Sequence, residues 1–316
     1  MIISWLGFFI AIAILLLGSK KNLGLALITA GIVLGLFTLS LESTLNQALI
    51  TLQDPSVITL TVALTMIPII GGVLQESGEL DHIVENLRIG KKPFLGLSPA
   101  LLGLLPIPGG ALFSAPLIDK AGEDLAGHIK AGINIWFRHV LFFIYPLAPA
   151  LIVPAKIANL SVYTIIKFQL PFFIITIALG YIFLLRKADG EMDYSSKFSL
   201  KNLIPPLAVV LLAPILDFTL QTIFKFEVTE ISTLIAIFSS LTLAIYIIDS
   251  RKKILKLSIK EMEPWNFTIL MLGIFFFINV FESSGIGNLI ANLSLSKLTL
   301  SVGVGFILGL ATGRIN

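Results

Sequence analysis

The chain has 316 residues, of which 56% are hydrophobic and only 13% charged, and its mean hydropathy is +0.97. A soluble domain carries about 25% charged residues, so a water-bathed globular fold is excluded. A formal net charge of +3, with the basic residues gathered in loops, does not suit nucleic-acid binding, and the absence of cysteine excludes a disulfide framework, a thiolate metal site and a cysteine nucleophile.

The uncharged runs are long and do not alternate, which predicts helices rather than barrel strands. A span needs about 20 apolar residues, and in lipid only helices and closed barrels satisfy the backbone. The predicted fold is all-α: a polytopic transmembrane helical bundle with inverted-topology repeats and a re-entrant helical hairpin.

In chain order, Ile2–Gly18 is the first predicted span. It lacks a basic n-region and a small-x-small cleavage site, so it reads as a retained helix and not as a signal peptide. Leu23–Leu41 and Val57–Leu74 follow. Leu80, Ile83, Val84 and Leu87 repeat at helical spacing and predict a short interfacial helix. Pro93–Ala121 is apolar but interrupted by Pro106-Ile107-Pro108-Gly109-Gly110. His139–Val153 is the next predicted span; with Ala126–Arg138 before it, residues 126–153 read either as a helix broken around Tyr145-Pro146 and Pro149 or as a helix with a simple proline kink, and Tyr163–Leu185 follows. The polar linker Arg186–Asn202, with an Asp189-Gly190 turn, separates a first half, residues 1–202, from a second, residues 203–316. The second half holds Leu203–Phe224, Ile231–Ile248, Phe267–Phe281, another interfacial face at Ile286, Leu289, Ile290 and Leu293, and a final apolar segment, Leu298–Asn316.

Basic residues orient these spans. Lys20 and Lys21, then Arg88, Lys91 and Lys92, then Arg186, Lys187, Lys197 and Lys201, then Arg251, Lys252, Lys253, Lys256 and Lys260 fall on one side. The other side offers Lys156, Lys225 and Lys297, with Lys167 near a span end. The clusters are therefore cytoplasmic and the N-terminus outside. Pro93–Ala121 then enters and leaves on the cytoplasmic side. Each of its arms, Phe94–Leu105 and Ala111–Ala121, is about a dozen residues, roughly 17 Å as helix. A hydrocarbon core of about 30 Å lets each arm reach about the midplane, as a re-entrant hairpin does.

An internal repeat supports this layout. The stretch from Gln75 to Leu87 resembles that from Phe281 to Leu293 without a gap, with Glu76, Ser77, Asn86 and Leu87 matched identically, and at the same offset Leu102-Gly103-Leu104 falls on Leu308-Gly309-Leu310. Glu76 ends an inward span and Glu282 an outward one, so the copies are inverted, an arrangement used by transporters. Thr312-Gly313-Arg314 falls where a second hairpin would turn. The repeat leads us to expect a longer complete form, of about 400 residues, of which this chain is a fragment, a disrupted product or one partner of two.

At Leu105-Pro106-Ile107-Pro108-Gly109-Gly110-Ala111-Leu112-Phe113-Ser114-Ala115-Pro116 the sequence resembles the DUF401 integral membrane proteins, members of the ion-transporter superfamily with citrate, dicarboxylate and gluconate carriers and sodium/proton antiporters. The resemblance covers the whole chain. It implies an elevator-like or rocking carrier, often a homodimer, that holds its substrate between two hairpin tips, with the broken helix facing a tip. It also leads us to expect longer family members, with a second hairpin and two later spans beyond the position where this sequence stops. With the missing cysteine, the resemblance also implies a prokaryotic plasma membrane.

Within that frame the candidate binding residues are Pro106, Pro108, Gly109, Gly110, Ser114, Asn134, Arg138, Tyr145, Pro146, Thr312, Gly313 and Arg314. Prolines break helices and glycines admit a ligand to the backbone, so a half-helix starting near Gly110 would aim its N–H groups at an anion; the same turn could merely close a hairpin. Ser114 adds a hydroxyl one turn later, and Asn134 a polar contact. Arg138 and His139 either neutralise an anion, join a proton relay, or anchor the helix at the interface. Asp217 is an intramembrane carboxylate, read either as a coupling group or as a residue near the outer interface, and Asn279 as a bridge between helices.

The expected function is secondary active transport of a small organic anion or inorganic ion, coupled to H⁺ or Na⁺. The expected partners are that substrate and the lipid bilayer. No cofactor, no metal and no enzymatic activity are expected: there is no HExxH, no paired aspartates and no serine–histidine set, nor the GxxxxGK[ST] of a primary pump. The alternative is a non-transporting membrane assembly subunit or a truncated inactive fragment, with an intramembrane enzyme ranked below both.

Overall fold

The computed structural model describes residues 2–104, 110–192, 194, 197–224, 226–292, 296, 298, 299, 301–303 and 305. Among them every regular element is a helix. They are α1 (Ile2–Gly18), α2 (Leu23–Thr38), α3 (Leu41–Gln53), α4 (Pro55–Glu76), α5 (Glu79–Glu85), α6 (Lys91–Gly103), α7 (Gly110–Ala121), α8 (Gly127–Val140), α9 (Pro149–Ile157), α10 (Val162–Phe183), α11 (Leu200–Ile223), α12 (Glu230–Ile247), α13 (Arg251–Met262), α14 (Trp265–Ser283) and α15 (Ile286–Ala291). Five described helices are long and apolar enough to cross a bilayer: α4, α10 with its C-terminal extension, α11, α12 and α14; α1 and α2 are apolar but shorter.

Local chemistry sets the helix starts. The Asn22 side chain accepts from the Leu25 N–H at 3.0 Å, Ser40 from Ser43 at 3.0 Å, and Ser161 from Thr164 at 3.2 Å. Asp54 accepts from the Ser56 N–H at 2.8 Å, just ahead of α4, which begins at Pro55. Each side chain satisfies a backbone donor that helix geometry leaves unpaired. α4 and α14 end alike: a glycine in the left-handed region, Gly78 at φ +79° and Gly285 at φ +70°, turns each into a short helix. These two glycines sit one position apart in the register of the sequence repeat.

The chain folds as two compact units, Met1–Thr61 with Trp265–Asn316, and Val62–Pro264. They join the two ends of the sequence and so cut across the halves drawn at Asn202. In the first unit α2 packs on α1 and α14. A Cβ at Gly273 would lie 2.6 Å from the Gly24 carbonyl oxygen, and one at Gly24 would lie 2.6 Å from the Leu270 nitrogen. Small residues let the two backbones touch, which is how helices gain packing energy where lipid supplies no hydrophobic drive. α3 is a helix where hydropathy suggests a loop. It is held by Thr51, whose Oγ1 accepts from Asn279 Nδ2 at 2.8 Å, so Asn279 does bridge helices.

In the second unit α6, α7 and α8 pack on one another, α10 lies against α8 and α9, α5 lies on α11, and α11 pairs with α12. α10 exposes Phe168, Phe172, Ile174, Ile175 and Phe183. So wide an apolar surface requires an apolar solvent; this is an integral membrane protein.

Replacing Gly273 by Val should force α2 and α14 apart and destabilise the first unit by about 1–3 kcal/mol. A lowered thermal midpoint of the purified protein in detergent is the readout; an unchanged midpoint would show that the contact is not close.

Candidate functional site

Within 126–153 the helix is interrupted. α8 ends at Val140, and one 3-10 turn follows at Leu141–Phe143. The Tyr145 N–H donates to the Leu141 carbonyl at 2.9 Å, and the Ala148 N–H to the Tyr145 carbonyl at 3.0 Å, before α9 restarts on Pro149. Pro146 has no N–H to give and cannot continue a helix, whereas Pro149 suits a first helical position. Tyr145 is buried in the break and Pro146 is half-buried.

α6 and α7 lie beside each other, joined by a short connection, and both rest on α8. Their open ends are tied: Lys91 Nζ donates to Asp124 Oδ1 at 2.6 Å and to the Asp189 carbonyl at 2.5 Å, while the Asp189 N–H donates to Asp124 Oδ2 at 2.8 Å. The Lys91 hydrogen bond, and then that from Asp189, hold the Asp124 carboxyl below its ordinary value. Its contribution to stability is therefore present above the unfolded value near 3.8 and is lost only as pH falls through the lower folded value. The linker adds more ties: the Arg88 guanidinium stacks 4.1 Å from the Tyr194 ring centre, the Tyr194 hydroxyl accepts from the Gly90 N–H at 3.1 Å, and the Ser199 N–H donates to Asn86 Oδ1 at 2.7 Å. Of these residues Arg88, Lys91 and Tyr194 line a cleft of about 370 Å³.

Toward the joined end, three of the sequence-predicted residues come together. Ser114 on α7 is fully buried and its Oγ donates to Asn134 Oδ1 on α8 at 2.5 Å. Arg138 is one turn further along α8 on the same face. A Cβ at Gly103, the last residue of α6, would collide with the Arg138 carbonyl oxygen and lie 2.9 Å from Arg138 Cγ. The close approach of α6 therefore depends on glycine, and it sets the base of the arginine side chain against the end of α6. Arg138 Nη1 is shielded from solvent and has no hydrogen-bond partner among the described residues. A buried guanidinium donor without an acceptor is costly.

Other residues fall elsewhere. His139 is exposed, with Nδ1 at 2.7 Å from the Ile135 carbonyl and its ring against Phe142. Gly110 is the first residue of α7. Pro106, Pro108 and Gly109 of the turn, and Thr312, Gly313 and Arg314, lie outside the described residues. Among the described residues no three His, Asp or Glu side chains gather to hold a metal.

Asp217 belongs to a separate cluster near the ends of α10, α11 and α12. It is 2% exposed and wholly engaged as an acceptor. Tyr163 donates to Oδ2 at 2.7 Å, Ser232 and Thr233 each to Oδ1 at 2.9 Å, and Gln221 to both oxygens at 3.0 and 3.1 Å. The sequence reading missed these four donors. Only Gln221, one turn from Asp217, carries a local signal. Beside the cluster Lys156 pairs with Glu230 at 2.9 Å.

A lipid-embedded bundle with a paired-helix element seated on an interrupted helix defines the class: a polytopic α-helical membrane protein. Residues 2–316 match the model of a family described as a protein of unknown function (DUF401), and the chain belongs to that family. Comparison with curated proteins yields no match.

Asp217→Ala should leave Tyr163, Gln221 and Thr233 without this acceptor, while Ser232 keeps the Thr229 carbonyl at 2.8 Å, and destabilise the protein by about 2–4 kcal/mol. Thermal unfolding checks this; a midpoint equal to that of the parent chain would mean the carboxylate is not the tie between these helices.

Proposed function

We propose that the protein is a secondary carrier of a small anion, best an organic carboxylate, coupled to H⁺ or Na⁺, and that it acts by transport and not by catalysis. The observation that carries this reading is Arg138: a cation in the last turn of a broken helix, with a shielded nitrogen that no group among the described residues satisfies. The carbonyls at the end of α8 offset part of its charge. A carboxylate seated at the joined end of α6 and α7 would supply the missing acceptor and match the guanidinium fork. Ser114 and Asn134 place polar groups on the same face. The resemblance to the ion-transporter superfamily supports the same class, and under it the paired helices α6 and α7 form the re-entrant hairpin.

The protein resides in a prokaryotic plasma membrane with its N-terminus outside, the side that carries fewer lysines and arginines. The chain has no cysteine, so single cysteines report sidedness directly. A membrane-impermeant thiol reagent added to intact cells should label Ile2→Cys and spare Lys253→Cys; the reverse pattern overturns the orientation.

For function, the intact protein in proteoliposomes should take up at least one of a panel of labelled mono-, di- and tricarboxylates. Arg138→Gln should raise the half-saturating concentration about 30-fold or more, and Arg138→Lys should fall between. A well-folded Arg138→Gln protein with unchanged uptake would remove the basis of this reading.

A further inference from the structure

α13 is a surface helix with two unlike faces. At 3.6 residues per turn, Lys252, Lys253, Lys256 and Lys260 fall within an arc of roughly 100°, and Ser258 and Met262 lie opposite. The second face is buried, with Ser258 at 0% and Met262 at 4% exposure. It seats on α4 at a position that admits only glycine: a Cβ at Gly72 would lie 2.6 Å from Met262 Cγ and 2.9 Å from Ser258 Cβ. The four lysines are all exposed. Among the described residues Lys252, Lys253 and Lys256 have no carboxylate in ion-pair reach, and Lys260 has only the exposed Glu261 at 3.9 Å.

The helix is also fixed in place. Non-glycine residues in the left-handed region flank it, Ser250 at φ +51° and Glu263 at φ +43°, so the chain turns sharply on entering and leaving it. Arg251 is drawn back toward the preceding helix, donating from Nη2 to the Tyr246 carbonyl at 3.0 Å. α12 ends only a few residues before α13 and α14 starts a few after it, at the exposed Trp265. Both neighbours are of membrane-crossing length. The lysines are therefore held close to the headgroup layer, on the scale of the Debye length of about 8 Å at physiological salt. Indole rings also favour that layer. A soluble acidic partner would need no such anchoring.

We propose that the lysine face of α13 is a docking surface for anionic phospholipid headgroups of the adjoining leaflet. The lysines supply point charges for phosphate, and the seat on α4 holds them in one row. This assignment does not depend on what the protein carries.

The test uses the full chain with Ile259→Cys, a partly exposed position beside the lysine arc, labelled with a fluorescent bimane and reconstituted in phosphatidylcholine vesicles. A fixed minor fraction of either phosphatidylglycerol or phosphatidylcholine carries an acyl spin label near the carbonyl. Phosphatidylglycerol should quench with about threefold higher effective local concentration, and the preference should fade at high salt. It should vanish in Lys252→Gln/Lys253→Gln/Lys256→Gln/Lys260→Gln and persist in Lys20→Gln/Lys21→Gln. Equal quenching by the two lipids in the lysine-bearing chain, or a preference that resists salt, overturns the proposal even if the fourfold variant does not fold. A preference surviving in a folded fourfold variant, or lost equally in the Lys20/Lys21 control, does so too.

Discussion

In hydrocarbon an unpaired backbone amide or carbonyl has no water to turn to, and leaving it bare costs several kcal/mol. That constraint makes every described element a helix and makes each interruption informative. The described residues hold one clear interruption, between α8 and α9, where a 3-10 turn and two backbone bonds around Tyr145 keep the chain mostly satisfied. Among the described residues four shielded side-chain atoms have no hydrogen-bond partner, Gln75 Oε1, Arg88 Nε, Ser98 Oγ and Arg138 Nη1, and the Arg138 nitrogen is the one that lies a turn before the break. The backbone rule is kept at the break, and the exception is moved onto a group whose natural partner is an anion.

The same economy governs the other buried polar groups. Asp217 is buried, yet its two oxygens accept from Tyr163, Gln221, Ser232 and Thr233. A carboxylate so fully served binds three helix ends together and has little capacity left for a further ligand. Arg138 and Asp217 look alike in the sequence, as lone charges inside apolar runs. Their surroundings give them opposite characters: Asp217 is saturated, and Arg138 has a nitrogen without a partner among the described residues.

The long spans were legible because hydrophobic length needs no tertiary knowledge, and the break was legible from Tyr145-Pro146 and Pro149. α3 was not. Glu42, Ser43, Asn46 and Gln47 read as a loop, and the helix is secured by the distant Asn279. α13 was hidden by its lysines, which signalled orientation before conformation. Within the site, Asn134 and Arg138 share a helix face by simple spacing, but their pairing with Ser114 and Gly103 is tertiary. His139, next to Arg138 in the chain, is turned by about 100°, and that rotation puts it on the exposed side. The Tyr163 bond to Asp217 crosses 54 positions, beyond any local pattern.

The contact between Gly103 and Arg138 also limits how α6 can move. Because the end of α6 meets the α8 backbone with no side chain between, a screw motion of α6 by one residue would turn Leu102 or Leu104 toward the Arg138 carbonyl. The two helices are keyed, like a bolt in a slot with a single notch. A motion that carries this region must therefore take α6 and α8 together or lift one clear of the other, and slippage along the shared axis is not among its options.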